Sequence, residues 1–431
     1  MKFIQLFSFL RKISSSQTAR DTYWIFGGNV ITSFLAFIYT IFLARGLNPS
    51  NLGIFSAVLA FILLFIDICD LGIGSSLSRF LPSFISKGES KEAASFTKTA
   101  FIFQLKVALS VSVAIILFSP FLSQIFLRSR NLFSLFIVSG IGIFGSIILS
   151  FLTSLLSAQK RFREVAIVNI LSTVSKAFLI ISFFFLSLLN IQSAIIVFAI
   201  SSYLAFFLLM RFFNFSFLKE KEEKGNLKKL LTFSLFLAFS RLFSAIGSRL
   251  DALMLIPLSS SYEAGIYSGA YKITSVYVLL AASFSAVIAP RLSGFRSMSE
   301  TIIYLKKVIL VVLGILLSIV ALFFIASWFV VLILGKNYIL SIPVFHALLL
   351  PMAFFTATIV PVNFLIYVVK KPQISTLNTF VQLVILFFGN LYLIPKYGRF
   401  GPVVTLSLVY GFTFISASFF AFYFYQKKKD E

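Results

Sequence analysis

Runs of about twenty apolar residues recur along the whole chain, and each is long enough to cross hydrocarbon as a helix. Of its 431 residues, 59% are apolar and 12% are charged, against roughly a quarter charged in an ordinary soluble domain. A soluble fold of this length has too little interior to hide so much apolar surface. The strand-like alternation of an outer-membrane barrel is absent. The expected fold class is therefore an all-α integral membrane protein of about twelve transmembrane helices. Spans are expected at 23–45, 52–78, 99–126, 132–157, 164–189, 193–213, 231–257, 264–289, 304–334, 339–369, 374–395 and 401–425.

A net charge of +23 would suggest nucleic acid in a soluble protein. Here the charges sit in short connections, so insertion topology accounts for them and no nucleic-acid partner is expected. One alternate set of connections holds 26 Lys and Arg residues, and the other holds 6. The basic set, which includes both termini, is expected on the cytoplasmic side. Phe3–Leu10 is short and is followed by Arg11 and Lys12. It reads as an amphipathic helix on the membrane surface, not as a cleavable signal.

The most highly charged internal break is Lys219–Lys229, KEKEEKGNLKK. The expected organisation is a cytoplasmic N-terminus at 1–22, a six-helix lobe at 23–214, and a charged linker at 215–230. A second six-helix lobe follows at 231–426, with a tail at 427–431. The halves resemble each other. Gly53-Ile54-Phe55-Ser56 and Gly265-Ile266-Tyr267-Ser268 lie 212 apart, as do Arg79 and Arg291. Lys160-Arg161 and Lys370-Lys371 follow at offset 210. Six spans is an even number, so the repeat is parallel, with two lobes around a central cavity. Gly72 and Gly74 in the second span, and Pro343, Pro351 and Pro361 in the tenth, are expected to bend their helices.

Ionisable residues at membrane depth are costly unless paired or hydrated. Lys106, Lys176, Arg241, Arg249 and Lys272 lie within expected spans, against Asp67, Asp70 and Asp251. The surplus is positive, which suits a hydrated cavity that receives an anion. At 1.5 Å per residue, Arg241 lies about 15 Å in from one side, Lys272 about 12 Å from the other, and Lys176 about 18 Å deep. Guanidinium forks suit phosphate oxygens, so Arg241, Arg249 and Lys272 are the leading candidate ligands, with Lys176 and Lys106 beside them. The alternative is pairing with the three aspartates. Asp67 and Asp70 share a helix face and either neutralise Lys106 or hold a coupling cation. His346 is either a packed histidine or a proton-coupling group. Arg79 and Arg291 end their spans, as headgroup contacts or as a cytoplasmic gate.

Cys69 is the only cysteine, which excludes an internal disulfide framework and a cysteine-rich metal site. With one histidine as well, no metal site is expected. There is no GxxxxGK[ST] loop or HExxH motif. No cofactor and no enzymatic domain are expected.

Several motifs carry a family resemblance. They are Phe42-Leu43-Ala44-Arg45-Gly46-Leu47, Asp70-Leu71-Gly72-Ile73-Gly74, Arg79-Phe80-Leu81-Pro82 and Ala158-Gln159-Lys160-Arg161-Phe162. In the second half, Asp251 precedes Ala270-Tyr271-Lys272-Ile273 and Pro290-Arg291-Leu292-Ser293. In their order, they resemble the polysaccharide transporters of the multidrug/oligosaccharidyl-lipid/polysaccharide (MOP) exporter superfamily, above all O-antigen flippases of the Wzx type. The resemblance implies a flippase of the bacterial inner membrane. It would carry undecaprenyl-pyrophosphate-linked oligosaccharide for O-antigen or other lipopolysaccharide assembly, with membrane lipids and other polysaccharide-assembly proteins as partners. A multidrug or cation-coupled exporter of the same superfamily is the alternative within the fold. A membrane-embedded glycan polymerase or ligase is the alternative outside it.

Overall fold

Backbone in hydrocarbon must satisfy its own N–H and C=O groups, which leaves helices as the natural element for chains of this composition. The computed structural model describes residues 17–213, 215–221, 223, 225–295 and 297–430, with side chains at 17–22, 235–241 and 428–430 excepted. Among the described residues every regular element is helical. The amphipathic segment expected at Phe3–Leu10 lies outside them.

In chain order the α-helices are α1 (Gln17–Gly46), α2 (Pro49–Cys69), α3 (Ile73–Ser86), α4 (Ser90–Leu117), α5 (Ser119–Leu127) and α6 (Phe133–Ala158). Next come α7 (Phe162–Phe185), α8 (Ile191–Met210), α9 (Asn226–Gly247), α10 (Leu250–Leu258), α11 (Ser261–Thr274) and α12 (Val276–Gly294). The last are α13 (Met298–Leu334), α14 (Ser341–Ala357), α15 (Ile359–Asn363), α16 (Pro372–Tyr397) and α17 (Phe400–Asp430). Among the described residues, 11 helical stretches are long and apolar enough to cross a membrane. The remaining expected span, 231–257, is split at Ser248–Arg249 into α9 and α10. The protein is a multi-pass membrane protein.

Several spans break where the sequence suggested. The second divides at Asp70–Gly72, where Leu71 and Gly72 take positive φ of 45° and 73°. A Cβ on Gly72 would also lie 2.6 Å from the Ser234 carbonyl, so glycine is required for both reasons. Gly74 lies inside α3 and makes no break of its own. The tenth span ends α14 at Ala357 and continues through α15, which contains Pro361, into a π-turn at Phe364–Val368, whereas Pro343 and Pro351 lie inside α14 and make no break of their own. The charged segment after the sixth span holds a 3₁₀ turn, Phe215–Lys219, and α9 already begins at Asn226.

By internal contacts the chain forms two compact units. Of the described residues, the first comprises 17–46 with Ile62–Gln124 and Ser129–Leu242; the second comprises Leu47–Phe61, Ile125–Arg128 and 243–430. In the first unit α1 lies along α7, and α6 packs on α3, α4 and α8. Small residues set the α6–α8 approach: a Cβ on Gly142 would sit 3.1 Å from that of Ala199. Ser146 and Ser202 hydroxyls bridge the same pair at 2.8 Å. Such close packing of small residues is the usual basis of helix association in lipid.

In the second unit α14 packs on α11, α13 and α17, and α16 lies along α17. Gln382 donates across the α16–α17 pair to Thr413 at 2.7 Å. The start of α2 crosses α11 at glycine on glycine. A Cβ on Gly53 would lie 2.0 Å from the Ser261 carbonyl, and one on Gly265 would lie 1.7 Å from that of Pro49. These are the two glycines of the repeated GIFS and GIYS motifs. The Tyr338 hydroxyl donates to the Leu47 carbonyl at 2.9 Å and anchors the same crossing.

Candidate functional site

The second unit holds a partly open cavity of about 280 Å³. Its polar lining includes Asp251 of α10, Tyr271 of α11, Thr379 and Gln382 of α16, and Tyr410 of α17. Phe355, Leu386 and Val409 supply apolar wall. The split of the seventh span builds this site. Ending α9 at Gly247 and restarting at Leu250 places Asp251 in the first turn of α10, where a carboxylate is stabilised by the helix N-terminus. Asp251 is only 7% exposed. Its Oδ2 accepts from the Tyr267 hydroxyl, and its Oδ1 accepts from the Ala252 amide at 2.9 Å. Tyr267, 1% exposed, stacks on Tyr271 at 5.7 Å between centroids. Arg249 occupies the N-cap position of α10, two residues before Asp251.

Lys272 follows Tyr271 in sequence but turns elsewhere. It is half-buried, and its Nζ lies 5.2 Å from the centroid of Phe55. In the first unit Lys176 of α7 is also half-buried, with Nζ 4.8 Å from the centroid of Phe198 on α8. Tyr39 meets the same ring edge-on at 6.3 Å. Cations over aromatic faces gain about 0.5–2 kcal/mol, rising as water is removed. Among the described residues neither lysine forms a salt bridge.

The other expected residues are dispersed. Lys106 is exposed on α4 and Asp67 is exposed on α2. Asp70 is half-buried at the start of α3, and neither aspartate is without a partner. The Arg241 side chain lies outside the described residues. His346 is fixed between α13 and α14: its Nε2 meets the Phe323 carbonyl at 3.0 Å, and its ring lies 4.5 Å from that of Phe323. Arg79 is exposed, with its guanidinium 4.3 Å from the centroid of Phe233. Arg291 is exposed and reaches Tyr304 at 5.9 Å. Among the described residues no three His, Cys, Asp or Glu side chains group as metal ligands, and Cys69 is buried.

Sequence reasoning passed over Tyr267, Tyr271 and Tyr410 around Asp251, and Phe55 and Phe198 under the lysines. The spacing of Tyr267 and Tyr271 on one helix face, and of Thr379 and Gln382 in an apolar span, was the available signal.

The sequence profile of the family described as polysaccharide biosynthesis protein matches residues 18–296 of this chain. The chain belongs to that family. This polysaccharide biosynthesis family member is 21% identical over 403 residues to an uncharacterized membrane protein of Methanocaldococcus jannaschii, covering 86% of this chain and 77% of the relative. Its fold is similar to an inward-facing multidrug resistance MATE family transporter of the MOP superfamily, with a TM-score of 0.75 at 14% identity. That match covers 90% of this chain and 94% of the other. It is similar also to the lipid II flippase MurJ in an inward closed conformation, with a TM-score of 0.74 at 15% identity over 91% and 86% of the two chains. A MOP superfamily transporter from Pyrococcus furiosus, described as having a binding pocket of reverse polarity, aligns at a TM-score of 0.62 and 12% identity, over 94% and 95%. At these identities the solved structures establish a shared fold. The polysaccharide part of the resemblance read from the sequence holds at the level of the family, and the MOP superfamily structures share the fold.

Proposed function

We propose that this family member is a flippase for an undecaprenyl-pyrophosphate-linked oligosaccharide. It would move a surface-polysaccharide repeat unit, such as O-antigen, across the bacterial cytoplasmic membrane by alternating access of the lobes expected at 23–214 and 231–426. The observation that carries this reading is the pair of half-buried lysines, Lys176 and Lys272, each seated on a phenylalanine ring. An ammonium held by a ring keeps hydrogen-bond donors for an anion, whereas a carboxylate partner would already consume them. Pyrophosphate is an anion that uses such donors, and the family description supports a glycan cargo. Arg249 and Arg241 are proposed as further anion ligands. The reading makes the protein a transporter and not a glycan polymerase or ligase. Its termini are proposed to face the cytoplasm on the strength of the Lys/Arg bias.

A second reading draws on the Asp251 cavity. A buried carboxylate ringed by Tyr267, Tyr271 and Tyr410 suits a cation-coupled exporter, and within the flippase reading the same group is a candidate for coupling to an ion gradient.

The test is complementation of a flippase-null strain, with lipid-linked glycan followed by side of the membrane. The wild-type chain is expected to deliver glycan to the outer leaflet. Lys176→Gln with Lys272→Gln is expected to cut delivery about ten- to a hundredfold, the effect of losing charge-assisted contacts. Inner-leaflet accumulation with a well-expressed wild-type chain would overturn the reading.

A further inference from the structure

Arg79 is seated among residues that the transport reading leaves unused. The segment after the sixth span is tied down onto α4. Lys98 Nζ donates to the Glu220 carbonyl at 2.7 Å, and Ser95 Oγ accepts from the Glu223 amide at 3.0 Å and from Asn226 Nδ2 at 3.2 Å. Phe217 meets Phe101 at 5.8 Å. These bonds place the start of α9, which in turn packs against α3: Ser76 Oγ meets Ser234 Oγ at 3.3 Å, and Gly72 leaves room for the Ser234 carbonyl.

The result is a shallow, open pocket on the surface of the first unit, lined by Arg79, Lys228 and Lys229 together with Phe80 and Phe233. Lys229 Nζ lies 4.9 Å and 4.7 Å from the ring centroids of Phe80 and Phe84, and the Arg79 guanidinium lies over Phe80 and Phe233. Three cations from two helices therefore converge on one pocket, and among the described residues no carboxylate lines it. The N-terminus of α9 adds partial positive charge at the same place. Like charges held together on aromatic walls gain from an anion that bridges them.

We propose that this pocket binds the phosphate of an anionic membrane phospholipid, in the leaflet that this end of α3 and α9 meets. A lipid fits better than free phosphate because the walls are phenylalanine rings. The large apolar side chains of Ile85 and Leu227, adjacent in sequence to Phe84 and Lys228, are also 53% and 42% exposed. Acyl chains use such surface, whereas a free anion does not. Both helices run on from the pocket into apolar sequence, which places the cations at headgroup level. The site extends the headgroup role expected of Arg79 to Lys228 and Lys229 and does not depend on what the protein transports.

The full chain, purified in detergent, is titrated with phosphatidylglycerol or phosphatidylcholine, and retained lipids are counted by native mass spectrometry. The wild type is expected to retain phosphatidylglycerol preferentially. Removing charges at Arg79, Lys228 and Lys229 is expected to weaken retention about fivefold per charge. Lys228→Gln alone, an exposed change, covers the case in which the triple variant fails to fold. Undiminished retention by the folded variants would overturn the proposal. Complete displacement of the lipid by millimolar inorganic phosphate would overturn the lipid assignment. Failed glycan translocation with intact, charge-dependent retention would sink the flippase reading and leave this one standing.

Discussion

Asp251 and Lys272 belong to the same unit, on successive helices of apolar sequence, yet the fold treats their charges in opposite ways. Asp251 is clasped by the Tyr267 hydroxyl and the Ala252 amide, whereas Lys272 rests on Phe55 alone among the contacts described. The first arrangement ties the carboxylate to two hydrogen-bond donors. The second places the ammonium over a ring, with no salt bridge among the described residues. Their partners separate them. Lys176 on Phe198 in the first unit follows the pattern of Lys272.

The sharpest way to break this contrast is to remove each charge's support and read stability and transport separately. Lys272→Gln is expected to reduce glycan transport about tenfold or more while leaving thermal unfolding nearly unchanged. Tyr267→Phe is expected to destabilise by about 1–3 kcal/mol, because a buried carboxylate loses a hydrogen bond. Thermal unfolding of both variants in one detergent checks the pair. Equal losses of stability would erase the distinction between a clasped and an available charge.

The Lys272 side depends on the Gly53–Gly265 crossing, which brings Phe55 beneath the ammonium. Gly265→Ala would place a methyl 1.7 Å from the Pro49 carbonyl, so α2 and α11 must separate. Overpacking of this kind costs about 1–3 kcal/mol. Transport is expected to fall with it as Phe55 withdraws, and a fluorescence-detected melt together with the transport assay checks both. Gly247→Ala is the matching control, since its Cβ would meet nothing closer than 3.6 Å.

The smallest effect is expected at His346, whose ring nitrogen and face are both occupied by Phe323. His346→Phe is expected to cost about 1 kcal/mol of stability and to leave the pH dependence of transport unchanged. A shifted pH profile would move His346 from the structural group to the coupling group.

Much of the architecture was legible before any coordinates. Spans, breaks at Gly72 and in the tenth helix, and the repeated glycine motifs all show as local patterns. The charged run Lys219–Lys229 also stood out, but its contribution was misweighted. Read as topology signal, Lys228 and Lys229 gave no hint that Ser95 and Lys98 would pin their segment beside Arg79. Arg249 and Asp251 were read as neighbours in a continuous span. The split at Ser248–Arg249, which makes Asp251 a first-turn residue facing Tyr267, was not foreseen.

By itself the sequence determined that this is a multi-pass helical membrane protein of the polysaccharide biosynthesis family, with a surplus of positive charge. Those properties follow from hydropathy, periodicity and ordered motifs, which are sums over residues close in the chain. Only the tertiary structure decided which charges are satisfied and which remain available. Phe55 with Lys272 and Phe80 with Lys229 are pairs brought together across more than a hundred residues. Their energies fall off within a few ångströms, so the packing that sets those distances settles them.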